Sequence, residues 1–310
     1  MKRKIALAGV TLGLLLTSWG ALHAQEITRP IWTLSPNARL MMDGGLPVIP
    51  LFEGWYENPD DTYTFEFGFW NRNHEQGFLI PIGENNSINP SEYEGSQPTV
   101  FMPSNARGYS HGDNTGNFTI TVPRDFVEGG GEVIWTLKSQ GTEVSVPGQV
   151  VSNYGLSLGP QAGGSLPPIL KLEENGPELW GTSSADGDPG EASTTRVAVR
   201  GSHARPVTRT ATVGTPLTLT VWAEDRFVQI NDRQRVAAGV TWFTHQGPAP
   251  AELSPVQIDG EGNAVVTVMF SEPGRYLLLA RADNFRGSGD SSTGDHCCWT
   301  NGYVEVTVSQ

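Results

Sequence analysis

The stretch Tyr63-Thr64-Phe65-Glu66-Phe67-Gly68-Phe69 alternates aromatic with small or polar side chains. A period of two puts every second residue on one face of an extended chain, so this stretch reads as a half-buried β-strand. Turn-forming runs bracket it, Asn58-Pro59-Asp60-Asp61 on entry and Asn71-Arg72-Asn73 on exit. Further strands are expected over residues 78–82, 117–122, 132–137, 142–146 and 154–158, separated by Gly, Pro and Asn clusters. No stretch of 11 or more residues keeps an apolar period near 3.6. The 37 Gly and 22 Pro suit a turn-rich β fold better than a helical one.

The C-terminal part carries the same signal. Leu217, Leu219 and Val221 alternate with Thr218 and Thr220, and Val304, Val306 and Val308 alternate with Glu305 and Thr307. Adding 169–172, 196–199, 240–244, 264–270 and 276–280 gives about seven strands, the number in an immunoglobulin-type sandwich. Three segments carry a resemblance here: Val213-Gly214-Thr215-Pro216-Leu217, Gly239-Val240-Thr241-Trp242, and Phe270-Ser271-Glu272-Pro273-Gly274-Arg275-Tyr276, with Ala282-Asp283 closing. Residues 206–310 resemble the bacterial immunoglobulin-like and PKD-like modules of exported proteins. The resemblance implies that Trp242 packs at the centre of the sandwich and that Tyr276 anchors a corner. It also marks a departure, because Leu219 or Val221, and Leu278, stand where an antibody-type disulfide would have its cysteines. Residues 25–160 resemble no named family, and a related sandwich is the expectation there.

The chain opens Met1-Lys2-Arg3-Lys4, continues through an apolar run over 5–16, and reaches Leu22-His23-Ala24 before Gln25. A cationic start, a short apolar run and a small residue at the cut describe a secretory signal peptide over residues 1–24. The run is shorter than the roughly 20 apolar residues a spanning helix needs. No later segment is apolar enough to span, so no transmembrane segment is expected. Net charge is −13 over the full sequence, and removal of the three leader cations leaves about −16. Such a field repels a phosphate backbone and argues against nucleic acid as a partner. The expected fold class is all-β, with two immunoglobulin-like β-sandwich domains in tandem after the leader. They occupy 25–160 and 206–310, and 161–205 holds a Gly/Pro-rich joint, the first strand or strands of the second domain, and a polar loop.

Catalytic patterns are weak. Gly155-Leu156-Ser157-Leu158-Gly159 spells the motif of serine hydrolases, whose Ser needs a strand-to-helix elbow. Pro160, Gly163, Gly164, Pro167 and Pro168 follow, so no helix starts there. Paired carboxylates for glycoside hydrolysis could come from Glu53, Glu57, Glu66 or Glu75, and no motif selects among them. His74, His111, His203, His245 and His296 are scattered without zinc spacing. Asp186, Asp188 and Glu191, and Asp283, Asn284, Asp290 and Asp295, are oxygen-rich enough for calcium but also ordinary turn residues. No catalytic residue, metal ligand or cofactor is assigned on this reading.

Aromatic pairs Trp55-Tyr56 and Phe69-Trp70 each offer one ring outward as a sugar platform, whereas Trp135, Trp222 and Trp242 read as core. Cys297 and Cys298 are the only cysteines, and an exported protein meets oxidising conditions. A vicinal disulfide is the expectation. Buried thiols, a soft-metal site with His296 and an inter-chain bond compete with it. The function expected is export followed by binding of a protein or glycan partner, or scaffolding. A polysaccharide-acting hydrolase or its carbohydrate-binding accessory, and a purely structural cell-surface spacer, are the alternatives.

Overall fold

The computed structural model describes residues 25–28, 43–58, 60–103, 116–156, 165–180, 198–200, 205–227, 238–258, 263–283 and 299–310. Of these, 61 % lie in strands and 6 % in helices, against about 20–25 % strand in an ordinary globular domain, so the protein is all-β. Among the described residues no helix is long and apolar enough to cross a membrane.

The N-terminal half contains β1 (Gln25–Thr28), β2 (Val48–Glu57), β3 (Thr62–Asn71), β4 (Gln76–Leu79), β5 (Asn86–Asn89), β6 (Val100–Phe101), β7 (Phe118–Pro123), β8 (Val133–Ser139) and β9 (Thr142–Gly148). They form three sheets, ordered β1-β4-β6, β2-β3-β7 and β5-β8-β9. A short helix α1 (Arg124–Glu128) follows β7, and its five residues fit the missing 3.6-residue period. Phe65, Phe67 and Phe69 of β3 meet Phe118 of β7, Trp135 of β8 and Phe101 of β6 in one aromatic core. Phe118 and Trp135 pack edge to face at 4.9 Å, as do Phe69 and Phe101, each such pair adding about 0.5–1.5 kcal/mol beyond its area. The Trp135 indole donates to Asn86 Oδ1 at 3.0 Å, and Asn86 Nδ2 donates to the carbonyls of Ile80 and Pro98. That Asn is fully buried and satisfied, which fixes the 80–98 segment, β5 included, on the core.

The C-terminal half contains β10 (Ser165–Lys171), β11 (Glu178–Trp180), β12 (Ala198–Arg200), β13 (Val207–Thr212), β14 (Leu217–Phe227), β15 (Gly239–Gln246), β16 (Glu252–Leu253), β17 (Gln257–Ile258), β18 (Asn263–Met269), β19 (Gly274–Asp283) and β20 (Trp299–Ser309). One sheet runs β12-β11-β10-β14-β18-β16, with β17 also on β18, and the other runs β13-β20-β19-β15. Leu219 and Val221 of β14 face Trp242 of β15, Tyr276, Leu278 and Ala280 of β19, and Val304 and Val306 of β20 across a second core.

Three expectations need correction. The strand expected over 154–158 is absent from its described part, 154–156: Ser152–Tyr154 is a 3₁₀ turn, and Gly155 makes one isolated bridge to Trp55. Trp222 lies half-buried outside the core, because period two turns it outward once Leu219 and Val221 point in. β3 is buried on both faces rather than one, with Thr64 and Glu66 as hidden as the phenylalanines. Near Glu66 the C-terminal half covers that second face.

Candidate functional site: a buried acid pair between the halves

The sheet β13-β20-β19-β15 turns Tyr276, Leu278, Ala280 and Ala282 into its own core, which sends Leu279, Arg281 and Asp283 to its outer face. By the same alternation β20 sends out Trp299, Asn301 and Tyr303, and β15 sends out Phe243 and His245. On the N-terminal side, β2 and β3 supply Glu53 and Glu66, and the residues leading into β7 supply Gly116 and Asn117.

Arg281 is the centre of this junction and only 1 % exposed. Its Nη2 donates to the Gly116 carbonyl at 3.1 Å and its Nε to Asn301 Oδ1 at 3.2 Å. The guanidinium lies 5.5 Å from the Trp299 ring centre and 5.6 Å from that of Phe243. A desolvated cation over two ring faces gains about 2 kcal/mol or more from them. Asn301 Nδ2 also donates to the Gly116 carbonyl at 2.6 Å, and the Tyr303 hydroxyl donates to the Asn117 carbonyl at 3.1 Å. Burial holds the Tyr303 phenol well above its usual range.

The Gly116 N–H donates to Glu53 Oε2. Gly116 sits at φ +54°, and a Cβ there would lie 2.5 Å from Glu66 Oε1 and 2.6 Å from the Trp299 ring, so only glycine fits. Burial pushes the Glu53 carboxyl up to about 8, and the charge of Glu66 adds to the rise; Gly116 and Arg281 pull it back. Burial lifts Glu66 to about 7 against the pull of Arg281 and of the Trp299 indole. That indole approaches Glu66 without the geometry of a well-formed hydrogen bond: both Glu66 oxygens and Glu53 Oε1 lack one among the described residues. Two carboxylates against one guanidinium would leave a buried net charge, which is costly in a dry site. One retained proton makes the trio neutral.

A second patch lies alongside. Thr99 N–H donates to the His245 carbonyl at 2.9 Å, and Gln246 Nε2 donates to the carbonyls of Gly95 and Gln97. His245 Nε2 is 2.8 Å from the Ser96 carbonyl, so that nitrogen carries the proton. Burial depresses this imidazole to about 4, against the opposing effect of the Ser96 bond. His245 is thus buried and neutral, deeper than a surface or partly buried imidazole.

Of the four candidate glutamates, only Glu53 and Glu66 come together. Glu57 pairs with Arg124 at the surface, and Glu75 is half-buried, its N–H bonded to the Asp43 carbonyl. Trp55 donates to the Val151 carbonyl and packs on the first core, Tyr56 and Phe69 are buried, and Trp70 is half-exposed with Arg72 over its ring. Trp242 is in the second core, and the Tyr276 hydroxyl donates to the Glu272 carbonyl four residues back. Asp283 is buried at the end of β19. Cys297, Cys298, Ser157, His111, His203, His296, Asp186, Asp188, Glu191, Asn284, Asp290 and Asp295 lie outside the described residues. Among the described residues no group of three acidic, His or Cys side chains could hold a metal. Arg281 was missed, although a lone cation within Leu277-Leu278-Leu279-Ala280-Arg281-Ala282 was its signal.

No family model matches the chain. No curated protein is significantly similar to it.

Proposed function

We propose that this protein is exported by its N-terminal leader and works as a non-enzymatic binding or scaffolding protein built from two tandem immunoglobulin-like sandwiches. The observation that carries the reading is the setting of its best acid pair. Glu53 and Glu66 are 7 % and 1 % exposed and face Arg281 inside the junction, where Glu53 accepts the N–H of Gly116. A glycosidase needs its two carboxyls on opposite sides of a bound sugar, with room for substrate and water. A pair packed inside a junction fastens two bodies instead. Two joined sandwiches hold loops and strand edges in a fixed relation, which suits binding of an extracellular or periplasmic protein or glycan.

One observation favours the second reading, a polysaccharide hydrolase: two adjacent carboxyls raised to about 8 and about 7 are in the range a general acid uses. Co-purification and glycan-array binding test the first reading. A partner retained in proportion to the folded protein supports it. Absence of any retained protein or glycan in both assays overturns it in favour of the structural spacer.

A further inference from the structure

The sheet β12-β11-β10-β14-β18-β16 has an interrupted edge along β14. β10 and β14 stay in register only as far as Lys171 opposite Trp222, so β14 residues 217–221 have no described neighbour on that side. On the other side β14 pairs with β18, Thr218 opposite Thr267 and Thr220 opposite Val265. Thr267 turns both main-chain groups away from β14: its N–H donates to Ser254 Oγ and its carbonyl accepts from the Ser254 N–H, each at 2.9 Å. In an antiparallel ladder the residue opposite such a position also points its N–H and carbonyl outward. Thr218, and two residues on Thr220, therefore direct their main-chain groups to the open edge.

Beside that edge is a cavity of about 230 Å³. Leu172, Leu219, Val221 and Val304 give it an apolar lining, and Trp242 contributes to its floor. The Trp242 indole N–H has no acceptor among the described residues. Arg209 and Glu173 stand at the rim and neutralise each other at 3.0 Å. The space is smaller than the roughly 300–1,000 Å³ that holds a whole small ligand, and suits one side chain. Main-chain groups without a partner strand among the described residues, spaced at every second residue, match another extended backbone. Glu174 leaves one further negative charge at the rim, which disfavours an acidic anchor and leaves a neutral, apolar one to fit the lining.

We infer that this notch binds an extended segment of a partner protein, which adds a strand to β14 at Thr218 and Thr220 and inserts one apolar side chain over Trp242. The inference rests on the binding reading above and gives it a partner class. Added strands take affinity from main-chain bonds and specificity from the pocket under every second side chain.

The test uses the full mature chain and capped Thr/Ser heptapeptides with a central Leu, Tyr or Asp. In the free protein the Thr218 and Thr220 amides are expected to exchange at least tenfold faster than those of Leu219 and Val221. Leu- and Tyr-centred peptides are expected to shift the Thr218, Thr220 and Trp242 indole resonances. The Asp-centred peptide binds at least tenfold more weakly, a control that needs no variant. Thr220→Pro removes a donor from the open edge without removing a β18 bond, and it weakens the Leu-centred peptide at least tenfold while the melting transition stays cooperative. Slow exchange at Thr218 and Thr220 in the free protein overturns the inference, because a segment of this chain then already fills the edge. So does the absence of shifts at millimolar peptide. If the peptides fail while the Thr220→Pro protein still retains its co-purified partner, the notch falls and the binding reading stands.

Discussion

Replacing Glu53 by Gln removes one titrating group from the junction and keeps an oxygen for the Gly116 N–H. The Glu53 carboxyl is raised to about 8 from an ordinary 4.5. A group raised in the folded state holds its proton there after the unfolded chain has released it. Its contribution is complete below pH 4.5 and is lost as pH rises towards about 8. One proton corresponds to about 1.4 kcal/mol per pH unit, so wild type loses roughly 4 kcal/mol relative to Glu53→Gln between pH 5 and 8. That is a large part of a typical stability of about 5–15 kcal/mol. Urea unfolding of both proteins at four pH values from 5 to 8.5 measures the difference. His245, depressed to about 4, loses its contribution as pH falls from 6.5 towards 4, and it does so in both proteins. The subtraction therefore cancels His245 and leaves Glu53 together with its coupling to Glu66. Parallel stability curves would refute the reasoning, and a wild type that gains on the variant as pH rises would mean an ionised Glu53 bound to Arg281.

Two further outcomes test other parts of the account. Gly116→Ala places a Cβ against Glu66 and Trp299 at φ +54°, and is expected to cost roughly 2–4 kcal/mol from backbone strain and overpacking; a loss under about 0.5 kcal/mol by urea unfolding would show that the junction gives way freely. Intact mass after native alkylation, with and without reductant, is expected to show Cys297 and Cys298 joined to each other; two labelled thiols without reductant, or a covalent dimer, would contradict that.

Strands whose two faces differ were readable, and junction strands were not. β14, and β20 over residues 304–308, alternate Leu or Val with Thr or Glu because there one face meets core and the other water. β3 gave its strand character through Phe65, Phe67 and Phe69, but its polar residues looked solvent-facing until Glu66 proved to be covered. Residues 154–156 misled because they end a 3₁₀ turn laid on Trp55 rather than entering a ladder. Glu53 and Glu66 are two of the four glutamates whose sequence positions allow a carboxylate pair. What joins them to Arg281 is a contact across more than two hundred residues, and local periodicity carries no information about such partners. A cation in an apolar strand is the trace it leaves.

The most direct test of the central claim, that Glu53 and Glu66 fasten two halves of a binding protein and do no chemistry, is release of reducing ends. Wild type and Glu66→Gln would be incubated between pH 5 and 8 with a panel of bacterial and plant polysaccharides. The account predicts no release above a heat-denatured control for either protein. Release by wild type that disappears in a folded Glu66→Gln variant would contradict it.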